Sequence, residues 1–201
     1  MGLTAFFPSI VMTQRKQENS ILTLRPLRVA DERSFRRAVE EFEEKEPGWL
    51  FAFHFEVSTD FAEYVRRLDG WTRGQALPEG FVPNTFLVGV IRNTIIGRVS
   101  IRHELNDYLS TYGGHAGYGV VPSQRNRGYA SRMLRLTLPI AAKLGLPRLL
   151  VTCDADNPAS QRVIEKTGGK LENVLKEPGK TVPKKRYWIA TTAAATTDVI
   201  E

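Results

Sequence analysis

The hydrophobic pattern in the first third of the chain predicts one strand followed by two helices. Residues 21–25 alternate apolar and polar side chains, as a strand does. Residues 30–44 carry apolar side chains at helical spacing, with acidic residues near the start. A second apolar stripe predicts a helix over residues 59–70, which Ser58 or Thr59 can cap.

From residue 85 onward the pattern changes to β-branched runs with period two, and helices separate the later strands. The predicted elements are, in chain order, a hairpin of strands over residues 85–91 and 95–103, a strand over 115–121, a helix over 129–144, a strand over 148–152, a helix over 157–168, and strands over 170–175 and 185–190. The apolar run at residues 148–152 is typical of a strand buried on both faces. The handedness of crossover connections places it parallel to the strand at residues 115–121.

The turn between that strand and the following helix is basic and contains a glycine, in the segment VVPSQRNRGYA of residues 120–130. A helix start leaves backbone N–H groups without intrahelical partners and carries about half a positive charge. Gly128 and Ala130 leave the approach free of bulky side chains. The turn therefore predicts a pyrophosphate site, with a solvated basic turn as the alternative.

Composition agrees with an anionic ligand. The 201 residues contain 28 Lys and Arg against 22 Asp and Glu, a net charge of +6, and 42% are apolar, enough for the core of one domain. Both a phosphorylated cofactor and nucleic acid fit this charge. The sequence has no repeated groove of basic and aromatic positions, which disfavours nucleic acid.

The single cysteine, Cys153, excludes an internal disulfide, and no Cys and His spacing is typical of a zinc site, so we expect no metal. No apolar stretch reaches the length of a bilayer span, and we expect a cytoplasmic protein. We expect residues 1–19 to be an N-terminal extension, with Met1 or Met12 as the initiator, residues 20–190 to form the domain, and residues 191–201 to be a disordered tail.

Two motifs resemble the GNAT family of N-acetyltransferases. The segment Arg125-Asn126-Arg127-Gly128-Tyr129-Ala130 fits its signature of Arg or Gln, two residues, Gly, one residue, then Gly or Ala. Asn157, followed by Glu165-Lys166-Thr167-Gly168, fits its second landmark. The resemblance is clear from about Phe86 to Leu175. Ile101-Arg102-His103 and Gly113-Gly114-His115-Ala116-Gly117-Tyr118 resemble an uncharacterised bacterial subgroup.

The resemblance implies a single α/β (α+β) domain with a mixed, mostly antiparallel central sheet of six to seven strands, one central parallel pair and about four flanking helices. It implies acetyl-CoA as co-substrate and a primary amine, in a small molecule or a peptide, as acceptor, with direct attack in a ternary complex and no metal. Homodimers are common among similar proteins. The implied cofactor-binding residues are Gly119, Val120, Val121, Arg125, Asn126, Arg127, Gly128, Tyr129, Ala130, Ser131, Asn157 and Ser160. Asn157 has a second interpretation, that of a helix cap.

The chemistry requires a neutral amine and a proton for the departing thiolate. His115 is our first candidate for the base because imidazole titrates near neutral pH, with Glu104 and His103 as alternatives. For each of them a purely structural role is the competing interpretation. Many family members carry a tyrosine acid where this chain has Ile164, so Tyr118 or water takes that role.

Two other functions stay open: an acyl-CoA-binding module without catalysis, and a basic nucleic-acid binder. The acceptor is not predicted by the sequence. The loop over residues 71–83 is either a plain connector or the border of a substrate entrance. The glutamates at positions 40, 41, 43 and 44 either attract a cationic amine or form a solvated helix face.

Overall fold

The computed structural model describes residues 21–192, which form one seven-stranded sheet with helices on both faces. The strands are β1 (Thr23–Pro26), β2 (Asn84–Ile91), β3 (Thr94–Arg102), β4 (Ala116–Val120), β5 (Arg148–Asp154), β6 (Lys170–Leu175) and β7 (Lys184–Ala190). The helices are α1 (Glu32–Lys45), α2 (Phe61–Thr72), α3 (Tyr129–Lys143) and α4 (Pro158–Lys166), with short turns at Val29–Asp31, Leu109–Gly113 and Pro122–Gln124. The predictions for residues 1–19, for the initiator and for most of the tail lie outside the described residues.

The strand order is β1-β2-β3-β4-β5-β7-β6, and every neighbouring pair is antiparallel except β4 and β5. The predicted mixed sheet with one central parallel pair is confirmed. No helix within residues 21–192 has the length and apolar character needed to cross a bilayer.

The sheet separates two apolar cores. On one face, α3 and α4 pack through side chains such as Met133, Leu134 and Ile164. On the other face, α1 and α2 pack an aromatic cluster around the fully buried ring of Phe35. Burial of both faces explains why β2 carries apolar side chains at most of its positions.

The sequence predicts only some of the contacts at the helix and chain ends correctly. Asn157 caps α4 by accepting a hydrogen bond from the Ser160 amide at 2.9 Å, as predicted. The cap of α2 is Asp60, whose carboxylate accepts from the Glu63 amide at 2.8 Å, so the prediction of Ser58 or Thr59 is wrong. Thr191, placed by sequence at the start of the tail, is buried and donates its amide hydrogen to the Pro147 carbonyl oxygen.

The parallel pair is very short. β4 and β5 share a single paired position, Ala116 with Val151, and then diverge. Their separation opens a gap in the middle of the sheet, on the side of β4 that leads toward α3.

Candidate functional site

The gap between β4 and β5 widens into a cavity of about 460 Å³, which we call the β4–α4 cleft. Its floor is β4, one wall is the start of α3, and the other walls are α4 and the chain after α1. The cleft-lining residues are Phe42, Glu46, Trp49, Tyr118, Gly119, Val120, Gln124, Arg125, Asn126, Gly128, Tyr129, Ala130, Ser131, Asn157, Ala159, Ser160, Arg162, Val163 and Lys166. The structure thus brings ten of the twelve sequence-predicted cofactor residues to one cavity, leaving out Val121 and Arg127.

The turn before α3 is shaped to present backbone N–H groups. Asn126 and Gly128 both have positive φ, 61° and 74°, so the chain turns back on itself before the helix begins. Gly128 is the N-cap and offers no side chain to the first turn, which also carries no acidic residue. The amides of Tyr129, Ala130 and Ser131 are therefore left for an external anion.

The backbone of β4 presents its polar groups to the cleft at alternate residues. The backbone N–H and C=O groups of His115 and Val121 are directed toward β3. The Arg102 amide donates to the His115 carbonyl oxygen, and the Val121 amide donates to the Ile96 carbonyl oxygen. By alternation, Tyr118 and Val120 direct their N–H and C=O groups away from β3 into the gap. Val121 is buried in the aromatic core and does not line the cleft, so its predicted contact with the cofactor stays a prediction.

The two arginines of the signature do not both point at the expected phosphates. Arg125 forms an ion pair with Glu46, lies 5.6 Å from the centre of the Phe42 ring, and donates from Nε to the Val120 carbonyl oxygen at 3.1 Å. Arg127 is exposed and does not line the cleft. Arg125 therefore joins the end of α1 to β4, and the backbone amides dominate the anion site.

Tyr118 crosses the cleft from β4 to α4. Its hydroxyl lies 3.2 Å from Ser160 Oγ. Burial raises the pKa of Tyr118 to about 12, although the hydrogen bond with Ser160 opposes this shift. The phenol is consequently protonated at neutral pH. Ile164 is fully buried in the core, and Tyr118 supplies a tyrosine hydroxyl between β4 and α4.

His115 lies at the β4–β5 junction and does not line the cleft. Its Nδ1 accepts a hydrogen bond from the Leu150 amide at 2.9 Å, and only 8% of the residue is exposed. Burial, with Arg102 and Arg148 nearby, lowers the pKa of His115 to about 4. The neutral ring of His115 therefore links β4 to β5, and the lone pair on Nδ1 is already used by the Leu150 amide. This geometry argues against our prediction that His115 is the base.

The structural role of His115 predicts a specific pH dependence. Its folded pKa lies below the ordinary value of 6.5, so its contribution to stability is present above pH 6.5 and is lost as pH falls toward 4. In His115→Asn an amide oxygen accepts from Leu150 without titrating. Between pH 7.5 and 5, wild type should lose about 2 kcal/mol more unfolding free energy than the variant in urea titrations. Equal losses would show that His115 does not titrate with unfolding.

The other two predicted bases also lie outside the cleft. Glu104 is exposed. His103 Nε2 lies 2.8 Å from Thr85 Oγ1, and burial lowers its pKa. Within residues 21–192, no group of three or more His, Cys, Asp or Glu side chains is arranged to hold a metal ion.

A second cavity, of about 440 Å³, lies on the face of the sheet that α1 and α2 cover, and we call it the aromatic cavity. Its lining residues are Leu50, Phe53, His54, Gly80, Phe81, Val82, Asn84, Ser100, Arg102, Tyr108 and Leu109. Sequence reasoning did not identify it. The available signal was the loop over residues 71–83, part of which contributes to the wall.

A family model described as "Acetyltransferase (GNAT) domain" matches residues 22–170. The chain therefore belongs to the GNAT acetyltransferase family, as its two motifs indicate. It is similar to the uncharacterized N-acetyltransferase YnaD of Bacillus subtilis (strain 168), with 32% identity over 82 residues. That match spans 40% of this chain and 46% of YnaD, less than half the length of the curated relative.

Solved structures share the fold at low sequence identity. RimJ of Mycobacterium smegmatis in complex with CoA-disulfide has a TM-score of 0.66 and 18% identity, covering 89% of this chain and 86% of that one. The microcin C7 self-immunity acetyltransferase MccE, in complex with acetyl-CoA and AMP, has a TM-score of 0.62 and 17% identity, covering 84% and 92%. YncA of Salmonella typhimurium, a putative acetyltransferase with acetyl-CoA, has a TM-score of 0.55 and 13% identity, covering 89% and 99%.

Proposed function

We propose that the protein transfers an acetyl group from acetyl-CoA to a primary amine, of a small molecule or a peptide, by direct attack in a ternary complex. The observation that carries this proposal is the β4–α4 cleft. It combines uncapped amides at the start of α3 with β4 backbone groups, such as the Val120 N–H, that no neighbouring strand within residues 21–192 pairs. Similar folds with bound acetyl-CoA or CoA support the same co-substrate.

The cleft has a place for each part of the cofactor. The amides of residues 129–131 bind the pyrophosphate, because they supply both hydrogen bonds and the positive end of the helix dipole. The Val120 N–H and the Tyr118 carbonyl oxygen pair with the amides of the pantetheine arm, which takes the place of the missing β5 neighbour. Ser160 and Asn157 approach the arm from α4.

The reaction places three demands on the site. The amine nitrogen attacks the thioester carbonyl carbon, a C–N bond forms, the C–S bond breaks, and the excess amine proton passes to water. The Tyr118 N–H, which is directed away from β3, stabilises the oxyanion. Tyr118, protonated at neutral pH, donates to the departing thiolate.

The test combines calorimetry of acetyl-CoA with release of free CoA thiol over a panel of primary amines. We expect binding, and amine-dependent CoA release. Tyr118→Phe should lower kcat about tenfold and leave acetyl-CoA affinity unchanged, since it removes a proton donor and no phosphate contact. Tyr187→Phe, which removes a hydroxyl that donates to Glu165 outside the cleft, is the matched control.

One observation favours a second candidate, an acyl-CoA-binding module without catalysis. The α4 position where many relatives have the tyrosine acid is occupied here by the buried side chain of Ile164. Tight acetyl-CoA binding with no CoA release from any amine would select this candidate. Absence of acetyl-CoA binding would overturn both.

A further inference from the structure

Arg102, which is half-buried, lines the aromatic cavity, the buried Arg98 lies on the same strand, and neither has a compensating carboxylate in the part of the chain that the structure describes. Arg98 and Arg102 lie on the same face of β3, which α1 and α2 cover, and Ser100 lies between them. No Asp or Glu within residues 21–192 forms an ion pair with either arginine. Buried charges are normally paired, so an unpaired pair of cations beside a cavity requires an explanation.

Arg98 does not line the cavity but lies behind Ser100, which does. Its guanidinium lies between two aromatic rings, 4.5 Å from the centre of Trp49 and 4.9 Å from that of Phe53. It donates to the carbonyl oxygens of Leu50 and Gly117, while its Nε is buried without a partner. Burial, together with the nearby charge of Arg102, lowers the pKa of Arg98 to about 9, so it is still cationic at neutral pH.

Arg102 lines the cavity itself. Its Nη1 donates to the carbonyl oxygens of Gly113 and Gly114, at 3.4 and 3.2 Å. Within residues 21–192, Nε and Nη2 of Arg102 form no hydrogen bond. Two donors of a planar guanidinium are thus left for a ligand, in the geometry that a carboxylate accepts.

The arginines of β3 lie next to β4, the strand that forms the floor of the β4–α4 cleft. A Cβ at Gly117 would lie 3.6 Å from Arg98 Nη1 and 3.7 Å from Arg102 Nη1. Trp49 connects the same regions, because its ring lines the cleft while Arg98 packs against it. An acceptor held in the cavity is therefore one strand away from the thioester position proposed for the cleft.

We propose that the aromatic cavity binds an acceptor amine that carries a carboxylate on an apolar or aromatic body, with the carboxylate on Arg102. This inference rests on the proposed function and names its substrate class. The volume fits a molecule of amino-acid size, and Phe53, Phe81 and Tyr108 contact its body. The positive charge of the guanidinium groups lowers the pKa of an amine bound nearby. The acceptor amine is therefore neutral without a base from the protein.

The same charges exclude polycations. Spermidine carries no carboxylate and would bring further positive charge next to Arg98 and Arg102. The glutamates of α1 offer no alternative site in the cavity, since none of them lines it, and Glu41 accepts hydrogen bonds from the amide and hydroxyl of Ser123. We therefore expect the aromatic cavity to favour an acceptor with a carboxylate over a polycation.

The test compares four amines by CoA release: phenylalanine, phenylalaninamide, phenethylamine and spermidine. The first three share one aromatic body and differ in the carboxylate. We expect kcat/KM for phenylalanine to exceed that for the amide and for phenethylamine by about tenfold, with spermidine slowest. An equal or reversed order with clear turnover overturns this inference and leaves acetyl transfer standing. No turnover with any amine overturns the proposed function as well.

Substitutions of Arg102 test whether this residue causes the preference for a carboxylate. Arg102→Gln should reduce the advantage of phenylalanine over phenylalaninamide to within about twofold, while Arg102→Lys retains part of it. Arg66→Gln, an exposed change of the same charge on α2, should retain all of it. Acetyl-CoA calorimetry on each variant verifies folding. If Arg102→Gln does not fold, the order of the four amines with wild type and Arg102→Lys still decides.

Discussion

Ser131→Asp is expected to weaken acetyl-CoA binding by about a hundredfold, or nearly 3 kcal/mol, while leaving the fold intact. Ser131 lies in the first turn of α3 and lines the β4–α4 cleft. A carboxylate at this position occupies the amides that the pyrophosphate needs and repels its negative charge. The same carboxylate is favourable for the helix, because it lies at the positive end of the dipole.

Opposite effects on binding and stability make this substitution informative. Calorimetry measures the acetyl-CoA affinity, and thermal unfolding measures the stability of the unliganded protein, which should be unchanged or higher. Ser131→Asn has nearly the same shape without the charge and should lose less than tenfold in affinity. If Asp and Asn weaken binding equally, sterics and not charge control the site, and the pyrophosphate lies elsewhere.

The start of α3 could be predicted from the sequence because its determinants are local. A positive φ at Gly128, an uncapped first turn and a preceding strand are properties of about ten consecutive residues. The parallel pairing of β4 and β5 was also predictable, since the handedness of the connection leaves one arrangement. Asn157 at the start of α4 is a further local signal.

Roles that depend on the direction of a side chain could not be predicted in this way. Imidazole chemistry favours His115 as a base, yet the Leu150 amide that occupies its Nδ1 comes from a strand 35 residues later. The signature predicts phosphate contacts for Arg125, whereas its partner in the structure, Glu46, is 79 residues earlier in the chain. The register of β3 with β4 likewise directs Val121 away from the cleft.

The aromatic cavity shows the same limit. Arg98, Ser100 and Arg102 alternate with apolar residues along β3, a pattern that indicates one buried and one solvated face. In the structure the polar face is covered, because the aromatic residues Trp49 and Phe53 pack over Arg98. Nothing in the alternation itself predicts that cover. The polar face of β3 is a candidate site because aromatic residues cover it and no carboxylate within residues 21–192 pairs with its arginines, and both facts come from the structure.

Gly114→Ala is expected to destabilise the protein by about 4 kcal/mol, the largest stability effect that we expect from a single methyl group. Gly114 has φ 70° and ψ 177°, a conformation that is essentially restricted to glycine. A Cβ there would also lie 2.6 Å from the Leu150 carbonyl oxygen. That oxygen accepts from the His115 amide at 2.7 Å, so relieving the clash breaks the junction from which β4 and β5 diverge.

Gly145→Ala separates backbone strain from steric clash. Gly145 follows α3 with φ 80°, and a Cβ there would meet no atom within 4 Å, so this change should cost only about 1 kcal/mol. Urea unfolding of both variants at one pH measures the difference, expected near 3 kcal/mol. Since the His115 junction sets the start of the gap between β4 and β5, Gly114→Ala should also weaken acetyl-CoA binding, which Gly145→Ala should not. Equal costs at the two glycines would show that the Leu150 carbonyl yields easily, and that the cleft does not depend on this junction.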